Sequence, residues 1–421
     1  MSRNERLYYA DSTLKTFTAA VSGLRELGVP DGEPLWQIAL DRSAFYPTSG
    51  GQPFDTGMLQ ARLATGATAE VAVAQVEEDD EGTVWHYARQ PLAEGTHVEG
   101  FVDWDRRFDH MQQHTGQHLL SAVFWEQLQA ATVSFHLGEI TSTIDLAIAP
   151  PAHHSLERVE RTANQIIAED RTVTTRFVPR AEAEALLAEG ILRKLPEREG
   201  TIRLVDIAEL DHNACGGTHV RSTGQIGSIL IRSIEKVSRG VRVEFVCGMR
   251  AVRTARNDSG ILREVSTLLS TGAPELPDAV TRLLNEAKAG ARERQKLREE
   301  LASYQGAALA AEAEAEGGVR MVVRSWKDRD SDYVKLLASR TAAAATSTAV
   351  VFSAAHGEPV RVYLARSLNL NFNCGQMLRE ALAALGLRGG GSPDLAQGDV
   401  PVHQYAALVE SLIAAIRHAE R

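Results

Sequence analysis

The chain has 421 residues, with 45 Lys and Arg against 55 Asp and Glu and a formal net charge of -10. At about 100–200 residues per domain this length predicts two to four domains, and the composition is typical of a globular protein. The acidic balance excludes a uniformly basic protein that coats nucleic acid, although it allows a local basic face.

The cysteines and the apolar segments indicate where the protein works. Cys215, Cys247 and Cys374 are too scattered for a disulfide framework, which indicates a reducing compartment. The N-terminal residues MSRNERLYYADST lack the apolar segment of a secretory signal. The longest uncharged stretch, residues 341–355, is too short and too polar to span a bilayer. We therefore expect a soluble, cytoplasmic protein without a membrane segment.

Periodicity divides the chain into four predicted parts, which together give a multidomain fold of the α+β and α/β classes. Residues 1–104 alternate over short segments and predict a small N-terminal β-barrel, or a sandwich, with strands at 35–40, 70–76 and 82–87. Residues 105–256 predict an α/β layer domain, with helices at 111–128, 155–169 and 180–189 and strands at 141–148, 172–178, 201–207, 226–236 and 241–247.

The remaining two parts have a different composition. Residues 257–316 are rich in Ala, Glu, Arg and Lys, with apolar residues too sparse for a long coiled coil, and predict a helical arm. Residues 317–421 alternate again and predict a separate C-terminal α/β domain, whose last two helices flank a glycine-rich loop at Gly389, Gly390 and Gly391.

Two short motifs carry residues suited to binding a metal ion. In His114-Thr115-Gly116-Gln117-His118 the i, i+4 spacing places both imidazoles on one face of a helix. In Cys215-Gly216-Gly217-Thr218-His219 two glycines disfavour a regular helix, so we expect a tight loop. These nitrogen and sulfur ligands suit the tetrahedral preference of Zn²⁺. The sequence therefore predicts one zinc ion bound by His114, His118, Cys215 and His219.

The ligand set leaves the role of this ion open. Four protein ligands are typical of structural zinc, whereas catalytic sites usually keep three and a water. A catalytic role therefore requires that one ligand be displaced or weak. His110 shares the face of His114 and His118 but precedes the apolar pattern, which favours a position on the surface or behind the ligands. His212, three residues before Cys215, is not expected to be a ligand.

The two metal motifs resemble the editing domain of alanyl-tRNA synthetases and of alanyl-tRNA editing proteins. Three further segments resemble motifs of this family in the same order: residues 45–53 (FYPTSGGQP), residues 134–138 (SFHLG) and residues 223–227 (TGQIG). Residues 389–398 (GGGSPDLAQG) are similar to the signature of the DHHA1 domain, which in this family contacts tRNA. The resemblance covers nearly the whole chain and implies a long, free-standing editing protein, because no aminoacylation domain precedes the barrel.

This resemblance implies zinc-dependent hydrolysis of the ester that joins serine, or glycine, to tRNA(Ala). Four polar side chains in or just before the N-terminal motif are the expected contacts of the amino acid: Ser43, Thr48, Ser49 and Gln52. Gly50 and Gly51, beside them, are also expected to contact it. Ser43 stands where the family often carries Thr. His136, in the motif beside the site, is expected to contact the substrate, and Arg239, Arg242 and the C-terminal glycines are expected to contact the tRNA backbone. The arm or the C-terminal domain could support a homodimer.

Three alternatives accompany this reading. A non-catalytic, zinc-containing tRNA-binding module would bind tRNA without releasing the amino acid. A zinc peptidase would carry Glu directly after the first histidine, where this chain has Thr115. A nucleotide-binding enzyme would need a P-loop pattern after a strand, which the C-terminal glycines do not form.

Overall fold

The chain forms two compact units, Met1–Glu264 and Val265–Arg421. They are seen in a computed structural model that describes residues 4–28, 34–62, 67–197, 200–355 and 357–420. The four finer domain boundaries given above stay predictions. Within these described ranges, no helix combines the length and the apolar character needed to cross a membrane.

The first unit begins with an antiparallel sheet of seven strands. They are β2 (Thr16–Gly28), β3 (Leu35–Leu40), β5 (Gly57–Arg62), β6 (Thr68–Val73), β7 (Gln75–Glu78), β8 (Val84–Ala88) and β9 (His97–Val102). Their spatial order is β6-β5-β9-β2-β3-β8-β7. Before and beside this sheet lie β1 (Glu5–Arg6), α1 (Leu7–Ala10) and β4 (Arg42–Ser43).

The predicted closed barrel is not confirmed. The strand expected at 35–40 is present as β3, but the one expected at 70–76 is interrupted at Ala74. The two resulting strands, β6 and β7, lie at opposite edges of the sheet, and the pairings between described residues include no ladder that joins them. The sheet therefore stays open, around an apolar core that contains Phe45, Leu59 and Val76.

The remainder of the first unit is a mixed α and β region, as predicted. Its elements are α2 (Trp104–Leu128), β10 (Thr132–Leu137), β11 (Ser142–Leu146), α3 (His153–Ala168), β12 (Val173–Val178), α4 (Arg180–Ala188), β13 (Ile202–Ile207), β14 (Asp211–Ala214), β15 (Ile229–Val237), β16 (Gly240–Cys247) and α5 (Gly248–Leu268). The strands form two sheets, β10-β11-β16-β15 and β12-β13-β14. Apolar residues of α2, α3 and both sheets share one core.

Helix α2 begins at Trp104, seven residues before the predicted start. Asp103 caps it, because its carboxylate accepts from the backbone N–H of Arg106 over 3.2 Å. His110 is only 3% exposed, so of its two expected positions the one on the surface is wrong and the one behind the ligands stays a prediction. Arg107 breaks the apolar pattern there, and its charge is compensated inside the fold.

That compensation is a fully buried ion pair. Nε of Arg107 donates to both carboxylate oxygens of Asp55, over 3.0 and 2.9 Å, and Nη1 donates to the carbonyl of Ser12 over 2.9 Å. Asp55 also accepts from the backbone N–H of Tyr46 over 2.6 Å. Both charged side chains are 0% exposed. The pair thereby fixes α2 against the N-terminal motif.

The second unit contains a six-stranded sheet flanked by helices. Its elements are α6 (Leu276–Glu312), β17 (Ala315–Glu316), β18 (Val319–Trp326), α7 (Ser331–Ala344), β19 (Thr348–Ala354), β20 (Val360–Arg366), α8 (Cys374–Ala383), β21 (Gly389–Gly391), β22 (Leu395–Val400) and α9 (Val402–Ala419). The order is β17-β18-β19-β20-β22-β21, with β18 and β19 parallel. Residues 257–316, predicted as a helical arm, contain the end of α5 and the whole of α6, whose Ala302 belongs to a core that it shares with α7.

The glycines at 389–391 form strand β21, so the predicted loop is wrong. They pair with β22 in antiparallel register, Gly389 opposite Gly398 and Gly391 opposite Ala396. A Cβ on Gly389 would stand 2.3 Å from Cδ1 of Leu382. The backbone leaves still less room at Gly391, where a Cβ would stand 2.3 Å from the carbonyl oxygen of Leu395 on β22.

We expect Asp55→Ala to lower the free energy of unfolding by about 3–5 kcal/mol, because it leaves the buried guanidinium of Arg107 without a counter-charge. Chemical denaturation followed by circular dichroism measures this change. Asp258→Ala is the control, because it removes a half-exposed partner of Arg232 and should cost under about 1 kcal/mol. Similar small effects of both variants would contradict a structural role for the buried pair.

Candidate functional site

The two predicted metal motifs come together in the first unit. His114 and His118 lie one turn apart on α2, and Cys215 and His219 lie in the segment after β14. One ligand atom of each of the four residues lies within 4.8 Å of all the others. Three of the four side chains are buried and Cys215 is half-buried, so the cluster faces the protein interior and a cavity.

The distances suit a tetrahedral ion. Sγ of Cys215 lies 3.4 Å from Nε2 of His114 and 3.3 Å from Nε2 of His219. A tetrahedral zinc with bonds of about 2.3 Å to sulfur and 2.0–2.1 Å to nitrogen separates these atoms by about 3.6 Å. Among the described residues, the buried Nε2 of His118 has no hydrogen-bond partner, and a metal bond would satisfy it. The residues therefore fit a Zn²⁺ ion.

Buried hydrogen bonds fix the orientation of two imidazoles. Oε1 of Gln52 lies 2.9 Å from Nδ1 of His114, and Oγ1 of Thr115 lies 3.1 Å from Nδ1 of His219. The amide of Gln52 also accepts from the backbone N–H of Thr218 over 3.0 Å and donates to the hydroxyl of that residue over 2.8 Å. In both imidazoles Nε2 is left to face the ion, as zinc-binding histidines require.

The loop of Cys215 is held by a buried arginine and a glycine. Nη1 of Arg203 donates to the carbonyls of Cys215 and Gly217 over 2.8 and 2.9 Å. A Cβ on Gly217 would stand 2.1 Å from Cε1 of His114, so only glycine permits this close approach. Arg203 was not expected from the sequence, because a charged residue on a buried strand gives no motif.

Burial sets the protonation states of the ligands. It lowers the pKa of His118 to about 4, and it lowers the pKa values of His114 and His219 well below their ordinary range. It raises the pKa of the Cys215 thiol, against the opposing effects of the Gly217 N–H and the Arg203 charge. The histidines are thus neutral near neutral pH, the form that binds metal, whereas the thiol must lose a proton.

A cavity of about 720 Å³ adjoins the metal ligands. His114, His118 and Cys215 form part of its wall. The other walls come from the N-terminal motif, the outer turns of α2, strand β10 and the segments around β14: Tyr46, Ser49, Gly50, Gln117, Ser121, Trp125, Thr132, Ser134, Phe135, Arg193, Asp211 and Asn213. The cavity is large enough for an amino acid and part of a nucleotide.

The structure brings some of the predicted contact residues to this cavity and not others. Ser49 and Gly50 line it. Ser43 is buried elsewhere, where its hydroxyl lies 2.7 Å from Nε2 of His86 and accepts from the N–H of Phe45 over 3.1 Å. The other predicted contacts of the substrate do not line the cavity. Gln52 is buried behind His114, and Thr48, Gly51 and His136 are exposed.

The two predicted tRNA-contacting arginines lie on the β15–β16 hairpin. Arg239 is exposed in its turn, between Val237 and Gly240. Arg242 is exposed on β16, where its guanidinium donates to Asp145 over 2.7 and 2.9 Å. Its charge is therefore partly neutralised, whereas Arg239 stands at the tip of the hairpin.

The polar wall of the cavity was missed by the sequence reading. Gln117, Ser121 and Trp125 follow one another at i, i+4 spacing on α2, in the row beside His114 and His118. Helical periodicity could have revealed this row. Arg193 and Asp211, which form an ion pair in the opposite wall, come from separate segments that carry no sequence signal.

Two family models match the chain. Residues 202–243 match the second additional domain of threonyl and alanyl tRNA synthetases, and residues 2–106 match the class II (A) tRNA synthetases. The first match covers β13, β14 and the Cys215 motif. The second covers the N-terminal sheet.

Similar proteins extend the match over nearly the whole chain. An alanine–tRNA ligase from Pyrococcus abyssi is 33% identical over 97% of this chain and 43% of its own length. The alanyl-tRNA editing protein AlaX-L from Pyrococcus horikoshii is 29% identical over 94% of both chains. The chain thus spans about half the length of the ligases that it matches. The C-Ala domain of Aquifex aeolicus alanyl-tRNA synthetase covers 25% of the chain with 20% identity and a TM-score of 0.23, too low to establish a shared fold.

We expect Gln52→Leu to weaken zinc binding by about 10–100-fold, because it removes the hydrogen bond that orients His114. Competition with a chromogenic chelator measures the affinity. Gln60→Leu is the control, because Gln60 lies on the neighbouring strand β5 and its amide contacts only the exposed Glu70 side chain in the described structure. Unchanged affinity in Gln52→Leu would show that the hydrogen bond does not position the ligand.

We also expect zinc binding at about pH 7.5 to release about one proton, from the Cys215 thiol, because the three histidines are already neutral. Calorimetry in buffers of different ionisation enthalpy counts the protons. Cys215→Ala should abolish the release. Release of three or more protons would mean that the histidines are charged before the metal binds.

Proposed function

Because the chain belongs to the family of alanyl-tRNA synthetases and alanyl-tRNA editing proteins, we propose that it hydrolyses the ester of mischarged tRNA(Ala) in a zinc-dependent reaction. Serine is the expected amino acid, with glycine as a second substrate. The observation that carries the proposal is the cluster of four candidate ligands, three of which line a cavity of about 720 Å³.

Such an activity removes errors that selection of the amino acid by size cannot prevent. A pocket shaped for alanine cannot strongly reject neighbours of nearly the same size, so errors have to be removed at a second site. A site that hydrogen-bonds a hydroxyl discriminates far better, by about 10⁴–10⁵-fold, because the analogue without it leaves buried polar groups unpaired. The cavity is lined by several hydroxyl and amide groups that suit this task.

The residues of the site have two roles: some would hold the ion, and others orient its ligands or shape the cavity. A bound Zn²⁺ supplies a Lewis acid and a fixed point for orienting polar groups. His114, His118, Cys215 and His219 would hold it. Four protein ligands fill a tetrahedral shell, which favours orientation of the aminoacyl end over a permanently bound water. Gln52 and Thr115 keep two of the imidazoles in place.

The tRNA contacts belong to this proposal as well. Arg239 at the tip of the β15–β16 hairpin is the stronger candidate for a phosphate contact, because Arg242 already contacts Asp145. In the second unit, the edge strand Gly389–Gly391 is the proposed backbone contact. Phosphate contacts of this kind make binding dependent on salt concentration.

A homodimer is a further part of the proposal. Helix α6 carries a set of half-exposed apolar side chains: Val280, Leu283, Leu284, Leu297 and Leu301. Burial of such residues against a second copy would stabilise a dimer. Sedimentation velocity of the protein measures its mass in solution, and a monomer at micromolar concentration would contradict this part.

The activity is tested with Ser-tRNA(Ala) and Ala-tRNA(Ala). We expect rapid release of serine and slow release of alanine, and a loss of at least about 100-fold in Cys215→Ala, because a missing first-sphere ligand removes the ion. Cys374→Ala is the matched control in the core of the second unit. Equal rates on both esters would contradict the proposal. Salt-dependent tRNA binding without release would instead identify a non-catalytic tRNA-binding module.

A further inference from the structure

One wall of the cavity carries a polar group of residues that the metal site does not use. Gln117 and Ser121 lie one turn apart on α2, and Nε2 of Gln117 donates to Oγ of Ser121 over 2.9 Å. Oγ1 of Thr132, on strand β10, donates to the same oxygen over 2.8 Å. All three residues line the cavity, next to His114 and His118.

One hydrogen-bonding atom of this group has no partner among the described residues. Gln117 is only 4% exposed, yet its amide oxygen has no hydrogen-bond partner within the described structure. Exchanging the two ends of the amide does not help, because one end still lacks a partner. A buried amide atom without a partner costs free energy, and most such atoms are satisfied in native proteins. Its place in a cavity wall indicates that a ligand satisfies it.

The free bonding positions match a hydroxyl group. The oxygen of Ser121 already accepts two hydrogen bonds, so its own proton remains to be donated. The oxygen of Gln117 remains to accept. The hydroxyl of a ligand can accept from the Ser121 hydroxyl and donate to the amide oxygen of Gln117, whereas an ammonium group can only donate.

We propose that Gln117 and Ser121 bind the side-chain hydroxyl of the seryl group and thereby set the selectivity for serine over alanine. This inference rests on the proposed editing function and assigns a role that the sequence had predicted for Ser43, Thr48, Ser49 and Gln52. Alanine and glycine lack the hydroxyl, so either would leave both protein groups unpaired. The pair is therefore a specificity-determining feature of the cavity rather than part of the zinc site.

The test compares esters that differ only in the amino acid. For Gln117→Leu we expect kcat/KM on Ser-tRNA(Ala) to fall about 10–100-fold, while kcat/KM on Gly-tRNA(Ala) and Ala-tRNA(Ala) changes less than about threefold. Ser121→Ala should show the same selective loss. Gln127→Leu is the matched control, because Gln127 lies on the same helix outside the cavity lining. Zinc content and melting temperature confirm that each variant is folded and loaded.

Each outcome decides the matter. An equal loss on all three esters would assign Gln117 to folding or to the metal site and overturn the inference. An unchanged preference for serine would overturn it too. If the unaltered protein releases none of the amino acids, the proposed hydrolysis fails, and calorimetry with the 3′-amide analogues seryl- and alanyl-aminoadenosine takes its place. Preferential binding of the seryl analogue, lost in Gln117→Leu, would then support the inference, and equal binding of both analogues would overturn it.

Discussion

The buried amide of Gln52 joins the two halves of the candidate metal site. It contacts His114 on helix α2 and both the backbone and the hydroxyl of Thr218 in the cysteine loop. Gln52 itself belongs to the N-terminal motif, whose position on α2 is fixed by the buried pair of Asp55 and Arg107. The N-terminal motif, residues 45–53, is therefore part of the candidate metal site, although it provides no ligand.

Much of this arrangement could be predicted from the sequence, because it depends on local spacing. The i, i+4 histidines and the glycine-containing cysteine motif indicated the four candidate ligands, since a helix and a tight loop each bring two side chains together regardless of the rest of the fold. The strands and helices with clear periodicity also appear close to their predicted bounds. The i, i+4 row that continues from Gln117 to Trp125 was equally readable but was overlooked.

Other features could not be predicted, because they depend on contacts between distant segments. A charged residue such as Arg107 is expected at the surface. It is completely buried because it pairs with Asp55, 52 positions earlier, and His110 on the same helix is buried as well. Gln52 was expected to contact the substrate, but its amide is hydrogen-bonded to His114 and Thr218. The glycines of β21 were expected to form a loop, but they pair with β22, and the packing of β22 and helix α8 around them leaves little room for side chains.

The central claim is that His114, His118, Cys215 and His219 bind one zinc ion in a tetrahedral shell. X-ray absorption at the zinc edge measures this shell directly in the full-length protein. The structure predicts one sulfur at about 2.3 Å and three nitrogens at about 2.0–2.1 Å, and it predicts loss of the sulfur in Cys215→Ala. A shell of nitrogen and oxygen atoms without sulfur in the unaltered protein would contradict the assignment.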